Sequence, residues 1–124
     1  MTLPPDLSAA RVARAWLRGR SASLFPAEAL HALELLTTEL VTNAVRHGRE
    51  PVELTVSVDS DGIPAVRVCV SDGEPSSPVL HHAEPGANGG RGIALVDALA
   101  THWGSQLHTP PAVGKIVWFE LQFT

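Results

Sequence analysis

The 124-residue chain has one cysteine, one methionine and no tyrosine, and aromatic residues make up only 5% of it. A single thiol, Cys69, cannot form an internal disulfide, so folding needs no oxidising compartment. Cys69 lies in the apolar, strand-like run VRVCVSD, which predicts a buried and inert thiol. The six histidines (His31, His47, His81, His82, His102 and His108) are scattered and there is no C-x-x-C, so no zinc-cluster spacing is present. Nine Lys and Arg against thirteen Asp and Glu leave a net charge of −4, with no cationic surplus to displace counterions from a phosphate backbone. Direct nucleic-acid binding is therefore not expected. Lysine is nearly absent, with Lys115 alone. Long apolar runs are missing too. The first twenty residues, MTLPPDLSAARVARAWLRGR, are charged throughout, so neither a signal peptide nor a membrane span is expected and the chain reads as cytoplasmic.

What remains is a 44% apolar chain of a length that suits one domain, 1–124, with its own core. Pro4 and Pro5 precede Asp6 and Ser8, either of which can cap a helix running to about Leu17, with Gly19 and the polar RSAS stretch ending it. Leu7, Val12, Trp16 and Leu17 give this helix an apolar side that docks on a core. Phe25-Pro26 opens a longer helix, roughly 22 residues, in which Leu30, Leu33, Leu36, Leu40 and Ala44 recur at three and four and Gly48 marks the stop. From Pro51 the period changes to two. Val52, Leu54, Val56 and Val58, then Val66, Val68 and Val70, flank an Asp61-Gly62 turn and predict an antiparallel hairpin. Residues 71 to 90 read as a long loop, expected to be mobile, before a helix at Ile93 to Leu99 and strands at Trp103 to His108 and Ile116 to Phe123. The order predicts an α/β two-layer sandwich, helices packed on one face of a mixed, mostly antiparallel sheet.

Three places carry polar chemistry. Glu39 and Asn43 stand one turn apart on the long helix and so point the same way. A mid-helix Glu is ordinarily just solvated, but an Asn between Val41 and Val45 calls for a partner, and its oxygen suits a hard cation such as Mg²⁺. Asp72 follows the second hairpin strand in SDGEPSSP, either as plain Asp-Gly turn chemistry or as a carboxylate that accepts a hydrogen bond from a base amine. Gly89, Gly90 and Gly92 lead into the next helix, where they serve either the turn or a phosphate at the helix N-terminus. The pattern is neither the dinucleotide fingerprint nor the Walker loop, since no strand runs directly into these glycines and Lys115 is far from them.

Taken in order and spacing, TELVTNAVRHG, VCVSDGEPSSP, GGRGIALVDALATHWG and GKIVWFEL resemble the GHKL (Bergerat-fold) ATPase/kinase superfamily, which includes gyrase, histidine kinases and MutL. They are most similar to its anti-sigma-factor serine kinase branch of small bacterial ATP-binding regulators. The resemblance implies ATP and Mg²⁺ as cofactors, Glu39 as the catalytic or water-positioning acid and Asn43 as the metal-holding amide. It further implies Arg46 and His47 near the nucleotide, Asp72 on the adenine amine, and Gly90, Arg91 and Gly92 at a flexible ATP lid spanning about 73–91. Arg14 matches an arginine that faces the partner. A sigma factor or a small antagonist protein is the implied partner, and because relatives are often dimers, the first helix or the sheet edge is a candidate homodimer contact.

The chain departs from the family pattern at four places. Glu74 replaces a glycine two residues past Asp72, which predicts a rebuilt turn with the acid facing solvent; Ile116 replaces a threonine, removing a hydroxyl from the adenine network. Asn88 stands where a basic residue is expected ahead of the lid glycines, leaving Arg91 to substitute, and the usual first strand is short or absent. Two readings follow: a protein serine/threonine kinase acting on an antagonist protein, or a non-catalytic module that sequesters a sigma factor or antagonist. A detached histidine-kinase catalytic domain is a third.

Overall fold

The computed structural model describes residues 1–21, 25–59, 62–75 and 91–123. The elements run β1 (Thr2–Leu3), α1 (Ala9–Ser21), α2 (Ala27–His47), β2 (Val52–Asp59), β3 (Ala65–Asp72), α3 (Arg91–Leu99), β4 (His102–Leu107) and β5 (Lys115–Gln122). The strands form one sheet in the order β1-β2-β3-β5-β4, and each neighbouring pair is antiparallel. Helices cover one face, giving the α/β two-layer architecture that the switch from three-and-four to two-residue periodicity predicts.

Alternation decides which side chains meet the helices. Val52 and Leu54 of β2, Val66, Val68 and Val70 of β3, and Val117, Phe119 and Leu121 of β5 are buried, and they join Leu33, Leu36, Leu40, Val41 and Ala44 of α2 in one core. Full burial of each such side chain contributes about 1.5–3 kcal/mol relative to exposure, so this row and the α2 stripe dominate the stability. α2 lies between the other two helices and packs on both. Phe25 and Phe123 meet edge to face, centroids 4.6 Å apart, and tie the entry of α2 to the end of the sheet.

Several local expectations change. α1 continues past Gly19 to Ser21, because one helical glycine costs only about 1 kcal/mol and Arg18 is held by Glu34 of α2. Leu7 is exposed, and the docking side of α1 is instead Ala9, Ala13 and Leu17, with Val12 and Trp16 packed at its margin. Asp6 shapes the entry by accepting from the Ser8 hydroxyl and the Ser8 N–H, which hold its carboxyl below the ordinary value. The first strand is present but only two residues long, and β3 runs through Ser71 and Asp72, so the long loop begins at Gly73. Residues 76–90, and with them the expected mobility, lie outside the described residues. No helix among the described residues is long and apolar enough to cross a membrane.

The opposite face of the sheet is free of helices among the described residues. Cys69 lies on it, paired in register with Thr55 and Trp118, and is half-buried rather than buried. The Arg67 guanidinium stacks on Trp118, 4.2 Å from the ring centroid. On its other side the indole lies against Gly104, where a Cβ would come within 3.0 Å of it.

Two outcomes are expected from these contacts. Burial pushes the Cys69 thiol above its ordinary value, with Arg67 pulling more weakly the other way, so little thiolate forms at neutral pH. Iodoacetamide should label the folded protein more slowly than the urea-unfolded chain at pH 8, and the gap should narrow as pH rises. Thr37 is fully buried on α2, and its hydroxyl has no hydrogen-bond partner among the described residues. Thr37→Val should raise stability by about 1 kcal/mol, read as a higher urea midpoint at unchanged slope.

Candidate functional site

The inner-face alternation of β3 does not end with its valines. Asp72 is the next inward position after Val66, Val68 and Val70, and Lys115 is the inward position before Val117, Phe119 and Leu121 on β5. The register sets the two directly opposite each other. Asp72 is 3% exposed and Lys115 7%, and Lys115 Nζ donates to Asp72 Oδ1 at 3.1 Å. The Glu74 N–H donates to the same oxygen at 2.7 Å. A buried pair like this adds little net stability over an apolar one, but removing one partner is expected to cost about 3–5 kcal/mol.

Three glycines pack tightly around this residue: Gly48 against its carboxylate, Gly114 against its main-chain carbonyl, and Gly73 against the segment after α2. Gly48 ends α2, its N–H bonded to Ala44 O at 2.9 Å, and a Cβ there would stand 2.5 Å from Asp72 Cγ and 2.7 Å from Oδ2. Its backbone is extended, so Gly48 is needed for this close approach and not for a left-handed cap. Gly73 donates to Arg49 O at 2.6 Å, and its Cβ would strike Glu50 O at 2.5 Å. Gly114 has φ +128 and lies so near that a Cβ would be 2.1 Å from Asp72 O. Asp72 thus lies directly beneath the C-terminal turn of α2.

Above that turn, α2 carries Asn43 and Glu39. Arg14 Nη1 donates to Thr38 Oγ1 at 3.1 Å and Arg18 pairs with Glu34, which marks one flank of α2 as the side toward α1. Asn43 and Glu39, both half-buried, lie across the core stripe from that flank, on the side of α2 toward α3. Glu39 and Asn43 are thus one turn apart on the same flank of α2, and Asp72 lies against Gly48 at the C-terminal end of that helix. Arg46 and His47 occupy the last turn, exposed, where the helix dipole favours cations. Gly90, Gly89 and Asn88 lie outside the described residues; Arg91 and Gly92 form the first turn of α3. A cavity of about 380 Å³ opens beside the same end of α2, lined by Pro5, Val45, Glu50 and Val52 among others. Glu39, Asn43 and Asp72 do not line it, but Gly48, which packs on Asp72, does.

The structure revises two expectations here. Glu74 does not simply face solvent: its carboxylate, 19% exposed, pairs with Arg49 at 3.1 Å, and its N–H caps Asp72. Ile116 is opposite Ser71, on the open face of the sheet, so the missing hydroxyl does not bear on Asp72. The residue that does face Asp72 is Lys115, which sequence reasoning noted only as the lone lysine. The signal was present in the alternation Lys115, Val117, Phe119, Leu121, which puts a cation on an otherwise apolar face. Arg14 is engaged with Thr38 within the molecule.

The histidine kinase-like ATPase domain family matches residues 3–121, and the chain belongs to that family. Among solved structures, the histidine kinase domain of the blue-light activated histidine kinase from Erythrobacter litoralis is similar at 22% identity with a TM-score of 0.50. The likeness covers 93% of this chain and 63% of that one, so this chain spans less than two thirds of its length, and what the likeness carries is the fold. No curated protein sequence matches the chain.

The tight packing around Asp72 is open to a direct check. Gly48→Ala and Gly114→Ala should each lower the thermal midpoint by several degrees, since each places a methyl inside contact distance of Asp72. Gly19→Ala, which meets nothing within 4 Å, should leave the midpoint unchanged or raise it.

Proposed function

We propose that this chain binds ATP with Mg²⁺ and acts as a regulator of the anti-sigma-factor serine/threonine kinase type, its partner a sigma factor or a small antagonist protein. The observation that supports this most directly is the buried Asp72 carboxylate against the end of the helix that carries Asn43 and Glu39, in a chain of the histidine kinase-like ATPase family. At the base end, Asp72 is a nearly buried carboxylate, an acceptor of the kind an exocyclic amine requires. Among the described residues no group of three or more His, Cys, Asp or Glu could hold an ion alone. A cation here would take the Asn43 amide oxygen and complete its shell from phosphates and water, which is the habit of Mg²⁺.

Bound Mg²⁺ supplies charge neutralisation on the phosphate oxygens. In this reading Asp72 accepts from the adenine amine, Asn43 orients the cation, and Gly90, Arg91 and Gly92 meet the phosphates. Arg46 adds positive charge beside them, and His47 is its neighbour on the last turn of α2. Glu39 would accept the proton of the partner's serine hydroxyl as that oxygen attacks the γ-phosphate and ADP leaves, a role that needs the hydroxyl within hydrogen-bond reach of its carboxylate. A homodimer through α1 or the sheet edge belongs to the same proposal.

A second reading rests on Glu74. Its N–H and carboxylate are both engaged, to Asp72 and Arg49, where the family pattern has a glycine, and this favours a module that binds its partner without transferring phosphate.

Titration calorimetry with ATP and Mg²⁺ tests the site. Asn43→Ala and Asp72→Asn should each weaken binding about tenfold or more, the loss of one charge-assisted contact. An absence of saturable binding at millimolar ATP refutes the proposal. Glu39→Ala should keep ATP binding and abolish γ-phosphate transfer to a co-purified antagonist; wild-type binding without any transfer identifies the sequestering module instead.

A further inference from the structure

We infer that the cavity beside the C-terminal end of α2 is a receptor for an arginine side chain presented by a protein partner. This site is separate from the flank that carries Asn43 and Glu39, and nothing in it depends on the nucleotide reading given above.

The cavity forms where three chain segments meet: the connection from β1 to α1 at Pro5, the end of α2 at Ala44, Val45 and Gly48, and the connection from α2 to β2 at Arg49 and Glu50. Val45 stands two turns after Thr38, the residue that Arg14 of α1 reaches, so the cavity opens on the α1 flank of α2. Ala44 and Val52 are almost fully buried, which makes its floor a piece of the core, while Val45 is half-buried and Pro5 exposed. A volume of about 380 Å³ is at the small end of ligand sites and suits one long side chain.

Charge decides which side chain. α2 is 21 residues long and ends at the cavity, so its last carbonyls and the negative end of its dipole lie there. Arg46 and His47 do not cancel this on the cavity side, because they follow Asn43 by three and four residues and share its flank. Arg49 is directed to Glu74 at 3.1 Å, and Arg11, in the first turn of α1, acts on Asp6. Glu50 is the charge left over: it lines the cavity, is exposed, and enters no ion pair among the described residues. The helix end and this carboxylate both repel an anion and attract a cation.

Of the two long cationic side chains, arginine fits better. Its planar fork donates to a carboxylate and a carbonyl together, it is more weakly hydrated than an ammonium, and its aliphatic stem packs on Pro5, Val45 and Val52. One exposed carboxylate holds a free amine only weakly in water, so the occupant is a side chain delivered by a partner that makes further contacts nearby.

The test titrates the full isotope-labelled chain with N-acetyl-arginine N-methylamide, whose only charge is the guanidinium, and follows backbone amides by NMR. Saturable shifts with a millimolar Kd are expected at Val45, Gly48, Arg49, Glu50 and Val52. The norleucine analogue, which keeps the stem and lacks the charge, should bind about tenfold more weakly. Glu50→Gln, at an exposed position, should weaken the arginine probe about threefold or more with the rest of the spectrum unmoved. Val45→Phe, which fills the cavity, should abolish binding; if that variant unfolds, the Glu50→Gln comparison decides. No saturable shift at tens of millimolar, equal binding of the norleucine analogue, shifts centred elsewhere on the chain, or an unchanged Kd in Glu50→Gln overturns the inference. Tighter binding of putrescine than of the arginine probe also overturns it, since the occupant would then be a free diamine and not a partner's side chain.

Discussion

Among the described residues, the inner face of the sheet buries charge at one place, where the two charges are opposite in sign and opposite in register. From Leu121 through Phe119 and Val117 on β5, and from Val66 through Val70 on β3, the surface beneath the helices is apolar. A lone carboxylate or ammonium at the end of that row would be costly to desolvate. Asp72 and Lys115 solve the problem jointly, and the solution fixes much else: Gly114 must present Lys115, Gly48 must clear the carboxylate, and the connection after α2 must bring Arg49 O to Gly73. The end of the core and the start of the polar site are the same few residues.

α2 belongs to both. Its core stripe carries the packing energy, while the flank away from α1 carries Glu39 and Asn43 at the margin of burial. A rigid helix is a precise way to hold two polar groups, since their relative placement follows from backbone geometry and not from loop conformation. The flank toward α1 is used differently. Arg14 and Arg18 reach Thr38 and Glu34, contacts that are largely surface polar and contribute direction more than energy.

Most of the architecture was legible in the residue pattern. Two periods, three-and-four for α2 and two for the hairpin, sufficed to place helices on one face of an antiparallel sheet. The ends were harder, because propensity near a helix terminus is weak beside tertiary contact: Gly19 reads as a stop, yet the docked helix passes through it. In the site, the helix pair Glu39 and Asn43 was readable because four residues always make one turn. Lys115 was not recognised, because the register that sets it against Asp72 depends on which strands become neighbours, and 43 residues separate the two. Ile116 was misjudged for a related reason: whether a substitution bears on Asp72 depends on the sheet face it occupies, which a motif does not specify.

The sheet order has a temporal side as well. β5 comes last in the chain, yet it lies between β3 and β4. Until residues 115–122 have left the ribosome, β4 has no strand to pair with, β3 has a bare edge, and the acid at its end has no counterion. The hairpin of β2 and β3 can form early from local contacts, but the polar end of the nascent core must wait for a long-range pairing, the slow kind of event in folding. A chain of this design acquires the complete surroundings of Asp72 only at the moment its sheet closes.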